Sequence, residues 1–303
     1  MVHGHHHSHG HDDTRLPTTR LLITMALNFA ITIAELIGGL LSGSLSLISD
    51  ALHNFSDGIA IIISYIALKL KKRSVTPRHT FGLKRAEIFA AALNSGVLLV
   101  ITLYLFYHAA IRLINPAVIK GDLMIVVAGI GLIANVIGTW LLARPAKNSL
   151  NLKSAYLHLL ADAISSFAVL LGGVAIYYWN IFWVDPILTI LIGLYILKES
   201  YHILQGAIHI LMEGAPTNIS IDEVKQAVES LPEVNNLHHI HLWMVGDNDI
   251  HLEGHVDVED MLLSESGQLL NKIEHLLQDE FNIKHVTLQF ECNHCSNAHT
   301  IGH

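Results

Sequence analysis

The sequence contains little charge and little cysteine for its length. Only 15% of its 303 residues are charged, against about 25% in a typical soluble domain. The two cysteines, Cys292 and Cys295, lie close together near the end, and the formal net charge is −8. These shortages exclude a disulfide-stapled secreted scaffold and a nucleic-acid-binding protein with a basic surface.

Hydrophobic residues and histidine, in contrast, are abundant. Hydrophobic residues make up 51% of the chain, which excludes a disordered protein and exceeds what the cores of about two soluble domains could bury. The 22 histidines outnumber the 18 lysines and arginines. This composition predicts a membrane protein that handles metal ions.

Six apolar runs are each long enough for the roughly 20 residues that cross a bilayer. Turn-forming residues separate them, for example Ser42-Gly43-Ser44 and Asp185-Pro186. The polar N-terminus lacks the short apolar stretch of a signal peptide, so we expect the first run to be retained as a helix. The predicted spans are 20–41, 45–69, 86–113, 121–143, 154–178 and 184–210.

Basic residues are concentrated in two of the predicted loops. Six lysines and arginines lie between spans two and three, with Lys69 at the end of span two, and three lie between spans four and five. At the opposite loops there are only Arg112, near the end of span three, and Lys120. Because basic loops stay on the cytoplasmic side, we expect both loops and both termini to face the cytoplasm.

After about residue 211 the pattern changes to that of a small α+β domain. Helical patterns at 218–231 and 264–281 flank strand-like stretches at 237–244, 250–258 and 285–291, and Ser220 with Glu223 has the spacing of a capping box. From residue 211 onward there are 16 acidic residues and three lysines. Such a domain attracts cations rather than nucleic acid.

Two identical motifs, H-x-x-x-D, lie inside predicted spans. His53 and Asp57 are in span two, and His158 and Asp162 are in span five. The spacing places each pair on one helix face, one turn apart. A carboxylate inside the bilayer is costly unless it is paired or hydrated, so these residues need a partner. Together they offer the four-ligand nitrogen and oxygen shell that Zn²⁺ accepts, and that Co²⁺ or Cd²⁺ could also use.

Hydrogen bonds between helices are the alternative explanation for one such motif, but two copies on separate spans favour a shared metal site. Asp50 lies one turn before His53 and could act beside the metal, act in proton transfer or serve in packing. Other polar residues of the spans could line the same cavity or join helices, as asparagines often do: Asn28, Glu35, Asn94 and Asn135.

The sequence resembles the cation diffusion facilitator family, most closely its bacterial cobalt–zinc–cadmium resistance branch. The resemblance rests on Gly43-Ser-Leu-Ser-Leu-Ile-Ser-Asp-Ala-Leu-His53-Asn-Phe-Ser-Asp57, on Phe81-Gly82 with Arg85-Ala-Glu87, and on His158-Leu-Leu-Ala-Asp162. It covers almost the whole chain. The resemblance implies a homodimeric zinc/proton antiporter of the plasma membrane, with six transmembrane helices and a ferredoxin-like cytoplasmic domain.

The resemblance also implies the site residues. The transport site would be His53, Asp57, His158 and Asp162, and the histidine at position 53 is associated with zinc selectivity. A regulatory metal site in the cytoplasmic domain would consist of His238, His255 and Glu291. Other histidines there are weaker candidates, namely His241, His251 and His285.

One metal site of the family is not expected here. Some members bind a further metal between spans two and three through several histidines and aspartates. In that loop this chain retains only His79, and Leu83 stands where such members carry histidine.

The sequence leaves the roles of two segments undecided. The N-terminal tail carries six histidines within residues 1–11 and could hold metal loosely or derive from a purification tag. Cys292 and Cys295 form a single C-x-x-C around His294, which could contribute to a metal site or be inert.

The predicted organisation is a His-rich disordered tail (1–19), a six-helix transmembrane domain (20–210), a metal-binding regulatory domain (211–291) and a Cys/His tail (292–303). We expect a zinc exporter that works by alternating access. Three alternatives stay open: a membrane-embedded metalloenzyme, for which the motif H-E-x-x-H is missing, a metal sensor that moves no ions, and a zinc importer.

Overall fold

The computed structural model describes residues 18–71, 76–143, 150–246, 249–292, 294 and 299–301, with the side chains of 18–27, 61, 64, 65, 67, 68, 71 and 150–155 excepted. The histidines of the N-terminal tail and Cys295 therefore lie outside the described residues. Six long helices come first: α1 (Thr18–Ser42), α2 (Leu45–Lys71), α3 (Arg85–Ile114), α4 (Gly121–Ala143), α5 (Leu150–Trp179) and α6 (Val184–Leu211).

These six helices coincide with the six apolar runs of the sequence to within four residues at either end. Among the described residues, four helices are long and apolar enough to cross a membrane: α3, α4, the part of α5 from Tyr156, and α6. In α1 the described apolar stretch is the shorter Asn28–Ser42. The structure therefore has a helical membrane domain, and the count of six spans stays a prediction.

The first of two compact units comprises the described residues of 1–59 and 98–198. In this unit α4 packs along α5 and also against α1. Leu47, Met124, Val169 and Ile176 form its buried apolar core. The surface of the same helices is strongly apolar, as the exposed Trp140 illustrates, which is the surface that contact with lipid tails requires.

Asp185 joins the first turns of α2 and α6 in this unit. Its carboxylate accepts hydrogen bonds from the backbone amides of Leu45 (2.9 Å) and Ser46 (3.1 Å), and from the hydroxyls of Ser44 (2.6 Å) and Ser46 (2.7 Å). Arg112 approaches the same carboxylate at 3.6 Å. The first amides of a helix have no partner within the helix, so Asp185 caps α2 from another helix.

The second unit comprises the described residues of 60–97 and 199–303. It contains the C-terminal α+β domain, with α7 (Ile221–Glu229), β1 (Val234–Gly246), β2 (Asp249–Val258), α8 (Leu263–Phe281) and β3 (His285–Glu291). The sheet order is β1-β2-β3, with β1 antiparallel and β3 parallel to β2. Both helices share one apolar core with the sheet, which includes Val224, Leu252 and Ile273.

Two details of this domain differ from the sequence prediction. Ser220 precedes α7, but its side chain makes no capping hydrogen bond, so the predicted capping box with Glu223 is wrong. Half of such a box begins α8 instead, where the amide of Leu262 donates to Oε2 of Glu265 at 3.0 Å. The amide of Glu265 donates to the backbone carbonyl of Leu262 at 2.8 Å, because leucine has no side-chain acceptor. Strand β1 is also longer than predicted, because its pairing with β2 continues to Val234 and Gly246.

Candidate metal centre in the membrane domain and histidine cluster of the C-terminal domain

The two H-x-x-x-D motifs lie side by side in the structure. Nε2 of His158 is 3.2 Å from Oδ2 of Asp57 and 3.6 Å from Oδ2 of Asp162. Nε2 of His53 is 3.5 Å from Oδ2 of Asp57 and 3.8 Å from Oδ1 of Asp162. The structure thus brings all four predicted residues together, two from α2 and two from α5.

The spacing of these atoms suits a tetrahedral metal ion. Zinc bound to nitrogen and oxygen at about 2.0–2.1 Å in a tetrahedron would separate neighbouring ligand atoms by about 3.3 Å. The four measured separations scatter around that value. One ligand atom from each of His53, His158 and Asp162 also lies within 4.8 Å of the others.

The cluster is buried on the side of His53 and Asp162, and several of its buried polar atoms have no hydrogen bond. Asp162 is 3% exposed, whereas the side chain of His158 is 38% exposed on one side of the cluster. Both ring nitrogens of His53, together with Oδ2 of Asp57 and of Asp162, have no hydrogen-bond partner among the described residues. Buried polar atoms are nearly always paired, so these atoms are available to a ligand such as a metal ion.

Two hydroxyl groups of α5 donate hydrogen bonds to Asp50. Ser165 donates to Oδ1 of Asp50 at 2.6 Å, and Ser166 donates to Oδ2 at 3.3 Å. Asn135 of α4 in turn donates to Ser166 at 3.3 Å. Asp50 therefore links α2 to α5 through hydrogen bonds, which favours the structural role among the roles that the sequence left open. Tyr195, which the sequence did not single out, packs edge-on to His53 with ring centroids 5.9 Å apart.

A second cluster lies in the C-terminal domain. Nε2 of His238 is 2.8 Å from Oε1 of Glu291, and Nδ1 of His255 is 3.3 Å from Oε2 of Glu291. His238 and His255 are register partners on β1 and β2. Apart from these close contacts with each other, both oxygens of Glu291 and both ring nitrogens of His238 have no hydrogen-bond partner among the described residues. The three residues named from the sequence are therefore neighbours.

The cluster includes a histidine that sequence reasoning missed. His239 lies with its ring 4.9 Å from that of His255, and His238, His239 and His255 each offer a nitrogen within 4.8 Å of the others. Neighbouring strand residues normally point to opposite faces. Here the register shifts between His238 and His241, and His239 has a φ of 50°. This bulge turns His239 toward the same side, and a run of three histidines in four residues was the available signal.

The weaker candidates lie elsewhere in the second unit. His241 faces Glu253 across the β1–β2 pair, and it lines a cavity of about 840 Å³ together with His79. His251 stacks on His285 with ring centroids 4.4 Å apart and contacts Phe81 edge-on at 5.4 Å. Cys292 is exposed. None of these residues joins the two clusters among the described part of the chain.

His251 is buried, at 5% exposed, and its environment disfavours a charge. Burial, followed by the neighbouring His285 and Lys84, lowers the pKa of His251 below its ordinary value of 6.5. Lys84 itself pairs with Asp249 at 3.3 Å, which ties the segment before α3 to the start of β2.

Comparison with known proteins agrees with this architecture. Residues 21–212 match the cation efflux transmembrane domain, and residues 216–292 match the cytoplasmic domain of cation efflux proteins. The chain therefore belongs to the cation efflux family, as the motifs indicated. Its members are transporters rather than enzymes, and the chain is a divalent-metal efflux protein embedded in a membrane.

Three relatives illustrate the range of the similarity. The cadmium, cobalt and zinc/H⁺-K⁺ antiporter of Bacillus subtilis is 36% identical over 95% of this chain and 92% of its own length. The metal cation efflux system protein CzcD of Cupriavidus metallidurans is 36% identical over 99% of this chain and 93% of its own length. The zinc transporter ZitB of Escherichia coli is 35% identical over 95% and 93%, respectively.

Proposed function

We propose that this protein exports Zn²⁺ in exchange for protons through the site formed by His53, Asp57, His158 and Asp162. The observation that carries the proposal is the convergence of two imidazoles and two carboxylates from α2 and α5, at separations of 3.2–3.8 Å. Four protein ligands fill a tetrahedral shell and leave no open position for a reactive water, which suits binding and release rather than catalysis.

The donor set supports zinc as the substrate, with Cd²⁺ and Co²⁺ as further substrates. Two imidazoles disfavour a hard cation that prefers oxygen alone, such as Ca²⁺, and no thiolate is available for Cu⁺ at this cluster. The printed names of the relatives agree, since they describe zinc transport or cadmium, cobalt and zinc antiport.

Proton exchange follows from competition for the same atoms. The carboxylates and imidazoles bind metal only when they are deprotonated, so metal binding releases protons and proton binding displaces metal. Free imidazole titrates near physiological pH. In the proposed cycle the site loads zinc from the cytoplasm, opens to the opposite side and exchanges the metal for protons there.

The C-terminal domain is proposed as a cytoplasmic regulator. Residues 216–292 match the cytoplasmic domain of cation efflux proteins. The imidazole nitrogens of His238 and His255 and the carboxylate oxygens of Glu291 are donor atoms that suit a metal ion. In this proposal residues 20–210 form the transmembrane domain in a bacterial plasma membrane, 211–291 form the regulatory domain, and both termini are cytoplasmic. Two protomers would associate, and metal would favour the state in which it binds more tightly.

Zinc flux in proteoliposomes tests the proposal. We expect an imposed pH gradient to drive zinc across the membrane in the wild-type protein and not in Asp57→Asn, which keeps the shape of the side chain and removes its charge. Asp122→Asn is the matched control, because Asp122 is an exposed carboxylate at the start of α4. Transport that survives in Asp57→Asn would contradict the site.

Two further outcomes separate the alternatives. Zinc that binds to the reconstituted protein but never crosses under any gradient would favour a metal sensor. Zinc that moves only in the direction of import, in vesicles whose orientation is known from protease cleavage of the C-terminal domain, would contradict export.

A further inference from the structure

Glu35 is a buried carboxyl group that the proposed metal site does not use. It lies in α1, where it is 0% exposed. Its Oε2 accepts one hydrogen bond, from Nδ2 of Asn54 at 3.3 Å, and its Oε1 has no partner among the described residues. A buried ionised carboxylate with a single neutral donor would carry a large desolvation penalty.

Glu35 packs closely against α4. Oε1 lies against Gly131, and a Cβ built at that glycine would collide with Oε1, while Ile31 also borders the position. No second ligand of a metal ion accompanies Glu35 in the clusters found among the described residues. A proton, which needs only one oxygen, satisfies this site.

The ionisable groups that face Glu35 are acidic. Asp50 on α2 and Asp162 on α5 both act on it electrostatically. Glu35 is the ionisable residue of α1 between Asn28 and Ser42, and Asp122, the ionisable residue of α4, lies in the first turn of that helix. Asn54, the hydrogen-bond donor to Glu35, directly follows His53 in α2.

We infer that Glu35 is a proton-binding site of the transport cycle, protonated when the His53–Asp162 cluster is empty and deprotonated when the cluster holds a divalent metal. This inference rests on the proposed function. An empty cluster that holds fewer than two protons keeps a net negative charge from Asp57 and Asp162, and this charge retains the proton on Glu35. A bound divalent cation cancels these charges, so the O–H bond of Glu35 breaks and the proton passes to solvent.

The coupling is reciprocal. Protonation of Glu35 removes a negative charge near the cluster, which weakens metal binding there. Protonation therefore favours metal release to the same extent that metal binding favours proton release. Glu35 would therefore add a proton to those that the metal ligands themselves exchange, and it would do so without touching the metal.

Counting released protons tests this inference. The full-length protein would carry His238→Ala, His255→Ala and serine in place of the six histidines of residues 1–11, which removes zinc binding by the C-terminal cluster and by the tail. A pH indicator would report the protons released in weak buffer. We expect Glu35→Gln, which imitates the protonated acid, to bind zinc and to release about one proton fewer per zinc. Asp122→Asn should release as many protons as its parent.

An unchanged proton count in Glu35→Gln, with zinc binding intact, would overturn the inference and leave the proposed function untouched. Zinc binding that persists when His53 and Asp57 are both replaced by alanine would instead contradict the transport site. Infrared difference spectra provide a readout with Glu35 in place. Zinc addition should remove a carboxylic-acid C=O band, and the absence of any such change would overturn the inference even if Glu35→Gln failed to fold.

Discussion

Nε2 of His158 and Oδ2 of Asp57 lie 3.2 Å apart, the shortest of the four imidazole–carboxylate separations in the membrane cluster. These residues belong to different helices, and the pair within one motif, His158 and Asp162, is farther apart at 3.6 Å. Each motif therefore contributes half of the proposed site. If these four residues bind metal as proposed, moving α2 away from α5 would separate the ligand atoms and release the ion.

Replacing His53 by aspartate should change metal preference. The site would then contain one imidazole and three carboxylates, a harder donor set that suits Mn²⁺ better and Zn²⁺ less well. We expect His53→Asp to weaken zinc binding on the order of tenfold and to raise the affinity for Mn²⁺ relative to zinc. Competition titrations with the two metals on the purified protein measure both changes. An unchanged Mn²⁺/Zn²⁺ ratio would show that His53 is not a ligand.

Two neighbouring glycines of α4 offer a matched pair of substitutions. A methyl group at Gly131 would meet the carboxyl of Glu35, whereas at Gly129 nothing lies within 4 Å. Gly131→Ala should therefore destabilise the protein by about 1–3 kcal/mol through overpacking. Gly129→Ala should be neutral or stabilising by up to about 1 kcal/mol, because alanine restricts the unfolded chain.

Thermal unfolding in detergent measures this pair, and zinc flux shows whether Gly131→Ala also impairs transport. Equal melting temperatures for the two variants would mean that Glu35 does not pack against α4 as described.

Removing the carboxylate of Asp185 should be among the most destabilising changes in the membrane domain. Asp185→Ala leaves two amides and two hydroxyls at the start of α2 without their acceptor, and Arg112 without its counter-charge. Breaking a buried charge pair in this way costs about 3–5 kcal/mol. The melting temperature should fall accordingly, whereas Asp122→Ala, at an exposed position, should change stability by less than about 0.5 kcal/mol.

The C-terminal domain should lose stability in mild acid because of His251. Its folded pKa lies below the ordinary value of 6.5, so the unfolded chain binds the proton more tightly than the folded one. Stability is then fully present at neutral pH and decreases as the pH falls through 6.5 toward the lowered folded value. His251→Gln should remove this part of the pH dependence, and His275→Gln, at an exposed position of α8, should leave it unchanged.

Fluorescence provides a local readout for the same residue. The ring of Trp243 lies 5.5 Å from that of His251, and a protonated imidazole quenches indole emission. With Trp140, Trp179 and Trp183 replaced by phenylalanine, emission from Trp243 should decrease below pH 6.5 in the parent and stay constant in His251→Gln. A titration that is identical in the two proteins would rule out His251 as the responsible group.

Helix positions in the membrane domain, and the proximity of the two H-x-x-x-D motifs, were predictable from the sequence. Apolar runs long enough to cross a bilayer mark the helices, and a repeated i, i+4 spacing of His and Asp marks one face of each of two helices. The partners of Glu35, Asp50 and Asp185 were not predictable, because they lie on other helices and depend on packing. A sequence shows that a buried carboxylate needs a donor but not which helix supplies it.

In the C-terminal domain the strands were predictable and one ligand candidate was not. Alternating apolar residues located β2 and β3, but that rule assumes an uninterrupted strand. The bulge at His239 breaks the alternation and adds a third histidine to the cluster. The predicted helix cap at Ser220 was wrong for a related reason. A suitable residue type at the right spacing does not determine the side-chain rotamer, and the rotamer decides whether the capping hydrogen bond forms.

The hydrogen bonds of Asp185 also hold the first turn of α2 in place, so a tilt of α2 would pivot around that end of the helix. At 1.5 Å of rise per residue, His53 lies about 12 Å from Leu45 and Lys71 about 39 Å from it. A tilt of about 10° around the fixed end would move His53 by about 2 Å and the far end of α2 by about 7 Å. The same tilt that shifts His53 by about 2 Å therefore shifts the opposite end of α2 roughly three times as far.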